Sequence, residues 1–279
     1  MRPLRPMLAS PRRQVVFYFL LTFFISWFGA FLLVAPRIFA GQPIPKFTGL
    51  MMFPVMLLGP SFSGIFLTGR FDGRAGLRDF FSRLAPSRIS PILLPALLIP
   101  PLLVLAVLIL LKTFVSREYT PNHFFVGAGF GLVAGFFEEL GWTGFAFPKM
   151  VASRKGWFPS AILLGVLWSC WHIPVIDYLG AATPHGRAWP PFFLAFAAAM
   201  TAIRVLICWL YTRTQSILLA QLLHAFSTAS LVVLSPSGVS PIQESFWYAL
   251  YASALWLLLF LLIQFGAIST RVSSQPQQV

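Results

Sequence analysis

Apolar runs of about 20 residues recur along most of this 279-residue chain, each long enough to cross roughly 30 Å of hydrocarbon as a helix. Inside lipid every backbone N–H and C=O must find a partner within the protein, so only helices and closed barrels can span. The runs lack period-two alternation and are too long for barrel strands, which leaves an all-α polytopic membrane protein. The composition agrees, at 58% hydrophobic, 10% charged and 16% aromatic with mean hydropathy +0.81. The pattern predicts about eight transmembrane helices, near 15–35, 47–69, 90–115, 123–147, 157–179, 191–211, 215–234 and 245–267, with Pro54 and Pro60 kinking the second. They form a single membrane domain over 1–279, with a core at about 123–234, a basic tail at 1–14 and a polar tail at 268–279. The first run is too long for a signal-peptide core and reads as a retained anchor.

A formal charge of +13 raises the question of nucleic acid, but the basic residues cluster in short loops beside apolar spans, where they set topology and meet anionic lipid. With the N-terminus inside, the cytoplasmic segments carry Arg2, Arg5, Arg12, Arg13, Arg70, Arg74, Arg78, Arg83, Arg88, Lys149, Arg154, Lys155, Arg213 and Arg271. The opposite side carries Arg37, Lys46, Lys112, Arg117 and Arg187, while Arg204 lies within the sixth span. That asymmetry predicts both termini in the cytoplasm, the lipid bilayer as the setting, and no nucleic-acid partner. Leu77, Phe80, Phe81 and Leu84 fall at helical spacing opposite the charges of the second loop, the pattern of an interfacial amphipathic helix. Cys170 and Cys208 both fall inside predicted spans, which argues against a disulfide framework.

Only seven residues are acidic, yet Glu138 and Glu139 stand side by side in the fourth predicted span. An ionisable group there costs roughly 2.5–3.5 kcal/mol and marks a functional site unless something else explains it. Gly127, Gly131, Ala134 and Gly135 precede the pair at spacings of three and four, a small-residue face that lets neighbouring helices approach. The acids are therefore expected to face a bundle interior.

Two other spans carry polar groups able to answer them. The fifth holds WSCWHIP, with His172 one turn after Trp168 and Pro174 opening the helix beside it. The seventh holds QLLHAFST, in which Gln221, His224, Ser227 and Thr228 form a polar stripe. Counted from the basic flanks at about 1.5 Å per residue, Glu138 and His224 lie at similar depth and His172 somewhat deeper. Such a set supports activation of water, with a carboxylate accepting a proton and imidazole orienting the water or donating to an oxyanion. Alternatively Glu138, His172 and His224 could ligate zinc, although the HExxH helix motif is absent. Trp142, Trp168 and Trp171 read as packing or cavity walls, and His123 and His185 as solvated residues near span ends.

EELGWTGFAFP, WSCWHIP and LLHAFST, in this order, resemble the three motifs of the CPBP family, the CAAX prenyl-protease-like and bacteriocin-processing intramembrane proteases also called Abi proteins. The resemblance covers about 125–230 and implies an eight-span endopeptidase that cuts a peptide or protein substrate at the membrane. It implies that Glu138 activates water with His172, that His224 helps stabilise the oxyanion, and that Glu139 is the supporting acid. Family members are described both as metalloproteases and as metal-independent glutamate proteases, so zinc is an open cofactor. Two positions depart from the pattern: Thr143 stands where arginine is usual, and Thr228 where asparagine is common, with a hydroxyl still able to donate to an oxyanion. Arg204, at similar depth, is the expected substitute counter-ion of Glu139.

Two other functions fit the residues. A catalytically silent family member acting as an immunity or scaffold protein would tolerate both threonines, and a proton-coupled transporter would use the same Glu and His groups as relays. No inverted repeat or pair of broken helices favours a carrier. The sequence leaves the oligomeric state open.

Overall fold

The computed structural model describes residues 10–85, 91–153, 156–178, 185–236 and 238–269. The basic tail before Ser10, the polar tail after Ser269, and Arg88, Arg154 and Lys155 lie outside the described residues. The described chain is helical: α1 Pro11–Phe39, α2 Lys46–Ser82, α3 Ile99–Phe114, α4 Gly127–Gly141, α5 Phe147–Ser153, α6 Trp157–Trp171, α7 Trp189–Thr214, α8 Ile217–Leu234 and α9 Pro241–Gln264. A 3-10 helix, Pro91–Leu98, leads into α3, and π-helical turns at Trp142–Ala146 and Pro174–Tyr178 follow α4 and α6.

Among the described residues six helical stretches are long and apolar enough to cross a membrane: Pro11–Phe39, Met51–Ser82, Pro91–Phe114, Gly186–Thr214, Ile217–Leu234 and Pro241–Gln264. The two other predicted spans are helical but interrupted. The fourth passes through its π turn into α5, and the fifth stops at Trp171. Pro174 has no N–H for the carbonyl of Cys170, which explains the second interruption. The second span runs farther than expected, to Ser82, with a break at Gly73, whose φ of 68° only glycine adopts without strain. Beyond that break Phe80 is buried and Arg74, Arg78 and Phe81 are exposed.

Burial sorts the helices into layers. The most apolar window of α7 is 72% buried, against 22% for α1 and 28% for α3 and α9, so α7 is central and the other three face lipid. One proline inside a helix is compensated from a neighbouring helix. Pro60 leaves the carbonyl of Met56 without its helical donor, and Ser26 Oγ of α1 donates to it at 2.7 Å.

The glycine-rich face of α4 closes on α8. A Cβ on Gly135 would lie 2.7 Å from the Ala225 nitrogen, and one on Gly131 would lie 2.6 Å from the Ala225 carbonyl oxygen. On another side, a Cβ on Gly64 of α2 would come within 2.9 Å of Gly141 Cα. Helix α4 is thereby held backbone-close to two neighbours, which fixes where the side chains at 138 and 139 project.

Candidate active site

Glu138 and Glu139 follow the glycine face by one turn and are 1% and 0% exposed. They point to different partners. Glu138 Oε2 accepts from two indoles, Trp142 Nε1 at 3.1 Å and Trp168 Nε1 at 2.7 Å. The first is its own i+4 neighbour, and the second comes from α6. Glu139 meets a cation: Arg204 Nη1, from the buried centre of α7, lies 2.8 Å from each carboxylate oxygen. Thr143 Oγ1 donates to Glu139 Oε2, and His224 Nδ1 lies 2.7 Å from Oε1. The geometry matches the expected Arg204 counter-ion, and Thr143, in place of the usual arginine, adds a hydrogen bond to the same carboxylate.

Trp168 sits at the middle of this set. The Arg204 guanidinium carbon is 4.1 Å from its ring centroid, a cation–π contact. The rings of His172 and His224 each lie 5.1 Å from it, edge to face. One indole thus touches Glu138, Arg204 and both histidines. Trp142 and Trp168, expected as packing or cavity walls, are both donors to Glu138. Their spacing from the motif acid and histidine, four residues in each case, was the available signal.

His172 is half-buried at the end of α6, and its Nδ1 is 2.8 Å from the carbonyl oxygen of Trp168. A carbonyl only accepts, so Nδ1 carries the proton and a neutral ring presents Nε2 as an acceptor. By the same reasoning His224 donates from Nδ1 to the Glu139 carboxylate. Thr228, one turn beyond His224, is half-buried, and no hydrogen bond joins its hydroxyl to Glu138, Glu139, His172 or His224.

Among the described residues no three His, Cys, Asp or Glu side chains lie together in a way that could hold a metal ion. Glu138, His172 and His224 are not grouped as a ligand set among the described residues. The two cysteines are free thiols.

His185 is not solvated: it is 4% exposed, stacks on Phe192 at 3.6 Å and lies 3.1 Å from Glu244. It packs against Phe192 of α7 and Glu244 at the start of α9, which a sequence position near a span end does not reveal. His123 is exposed as expected.

One turn beyond Thr143, a cavity of about 430 Å³ is lined by Asp72, Arg83, Gly144, Lys149, Tyr211 and Gln215, among others. The π turn leaves the Gly144 carbonyl available, and Arg83 Nη2 donates to it at 3.3 Å, while Lys149 pairs with Asp72 at 2.9 Å. Charged side chains from α2 and α5 thus frame the end of the helix bundle next to the glutamate motif.

The family described as type II CAAX prenyl endopeptidase Rce1-like matches residues 120–230, the stretch holding both glutamates, both histidines and Arg204. A curated relative, CAAX prenyl protease 2 of Methanococcus maripaludis, is 31% identical over 130 residues, 45% of this chain and 47% of that protein. The match thus spans about half the length of the curated relative. Over this shared core the chain is similar to the CAAX prenyl protease-like membrane proteins.

Proposed function

We propose that the chain is an intramembrane endopeptidase acting on a membrane-associated peptide or protein, with a prenylated CAAX-type peptide as the substrate class to try first. The observation that carries this reading is the division of labour between adjacent acids: Glu139 is neutralised by Arg204, whereas Glu138 is held only by neutral indole donors. A carboxylate with no cation of its own remains free to take a proton.

In this reading Glu138 accepts a proton from water as the water oxygen bonds the scissile carbonyl carbon, and the carbonyl π electrons move to oxygen. His172 Nε2 accepts a hydrogen bond from the water's second hydrogen and orients the nucleophile. His224, protonated at Nε2, donates to the oxyanion, and Glu139 balances its charge from the Nδ1 side, as a buried carboxylate does for histidine in other hydrolases. When the tetrahedral species collapses the C–N bond breaks, and the proton held by Glu138 passes to the leaving nitrogen. Thr228, one turn beyond His224 on α8, would add its hydroxyl as a further donor to the oxyanion.

The test is cleavage of a fluorogenic farnesylated CAAX peptide by purified protein. Wild type cleaves, and Glu138→Gln and His224→Ala lose at least about 100-fold in kcat. Equal rates in wild type and both variants would discard this site. A folded wild type without cleavage of this or a wider membrane-peptide library would favour a catalytically silent scaffold.

A further inference from the structure

Arg204 is 0% exposed, yet only its Nη1 is engaged, with both oxygens of Glu139; Nε and Nη2 are buried without hydrogen-bond partners. A buried cation with two of its three nitrogens unbonded is costly, so its retention points to what it holds. Here it holds two things. By fixing the plane of the Glu139 carboxylate it aims Oε1 at His224 Nδ1, 2.7 Å away. By lying 4.1 Å over the Trp168 ring it braces the indole whose N–H reaches Glu138 at 2.7 Å. Thr143 approaches the same carboxylate from its own helix, one turn after Glu139, and is itself 0% exposed. Two positions on different helices, 143 and 204, therefore converge on one carboxylate.

We propose that Arg204 is the positioning residue of the site, setting His224 through Glu139 and Glu138 through Trp168, and that its charge is transposable to position 143. The Thr143 hydroxyl already reaches the Glu139 carboxylate, so an arginine at 143 would bring a cation to that group once the Arg204 side chain is shortened. The activity arm of the test rests on the endopeptidase reading, whereas the stability arm does not.

The experiment compares wild type with Arg204→Leu, Arg204→Lys, Thr143→Arg/Arg204→Leu and Glu139→Gln/Arg204→Leu, by thermal midpoint in detergent and by kcat and KM on the farnesylated peptide. Arg204→Leu is expected to lower the midpoint and to cut kcat about 100-fold, with KM within about 3-fold. Glu139→Gln/Arg204→Leu recovers the midpoint without recovering kcat. Thr143→Arg/Arg204→Leu recovers both, kcat to within about 10-fold of wild type. Arg204→Lys, which keeps the charge but not the planar stack, falls between, and serves where Arg204→Leu does not fold. Midpoints showing no coupling between 139, 143 and 204 would overturn the pairing. A recovered midpoint with unrecovered kcat in Thr143→Arg/Arg204→Leu would reduce Arg204 to a structural brace. Wild type without cleavage would defeat the endopeptidase reading and leave the midpoints to decide the pairing.

Discussion

At the scale of the residue, the site separates electrostatic from hydrogen-bonding support. Glu139 has Arg204, and Glu138 has indoles. Trp168 bridges the two halves, so its N–H and its ring are separable by substitution. Trp168→Phe keeps an aromatic face under the guanidinium but removes the 2.7 Å donor to Glu138. A hydrogen bond to a charged group is worth about 1.5–3 kcal/mol, so kcat should fall roughly 10- to 100-fold while Trp142 keeps the carboxylate buried and bonded. Trp168→Leu also removes the cation–π contact and should lower the thermal midpoint further than Trp168→Phe. Equal midpoints for the two variants, measured side by side in detergent, would show that the ring contributes nothing to the placement of Arg204.

At the scale of the element, the distance between Glu139 and His224 depends on how closely α4 and α8 approach. That approach rests on missing side chains. Adding a methyl at Gly135, where a Cβ would meet the Ala225 nitrogen at 2.7 Å, should cost about 1–3 kcal/mol by overpacking. Gly135→Ala should also reduce activity beyond its effect on stability, because α4 and α8 carry the two ends of the 2.7 Å Glu139–His224 contact. Gly129, with nothing within 4 Å of its would-be Cβ, is the control, and Gly129→Ala should be neutral in both measurements. Activity of Gly135→Ala tracking stability alone would separate helix spacing from the site. The small-residue face was readable from spacing alone, as was the inward direction of the acids, because glycine and alanine at three- and four-residue intervals have few other uses in a membrane helix. The indole donors were not readable with the same ease. A tryptophan in an apolar helix is ambiguous until the structure shows what its one N–H meets. The π turns were invisible too, since one extra residue in a helical turn leaves the hydropathy pattern unchanged. Only where proline forced an interruption, after His172, did the sequence carry a signal.

At the scale of the molecule, charge asymmetry and the position of the site imply one orientation. The basic segments assigned to the cytoplasm include Arg70, Arg74, Arg78, Arg83 and Lys149. Of these, Arg83 and Lys149 line the cavity next to the glutamate motif. If the positive side is inside, that cavity faces the cytoplasm, and a substrate would approach the glutamates from that face. Ser82, exposed at the end of α2, and Arg117, exposed after α3, then lie on opposite sides of the membrane. Single cysteines at these places, in a Cys170→Ser/Cys208→Ser background, report the orientation. In right-side-out vesicles an impermeant maleimide should label Arg117→Cys directly and Ser82→Cys only after permeabilisation. The reverse pattern would put the cavity on the outer side, and peptide supplied from the cytoplasmic face would then no longer be expected to reach Glu138 by this route. Labelling of both without permeabilisation would place Ser82 and Arg117 on one side, which an odd number of crossings between them forbids.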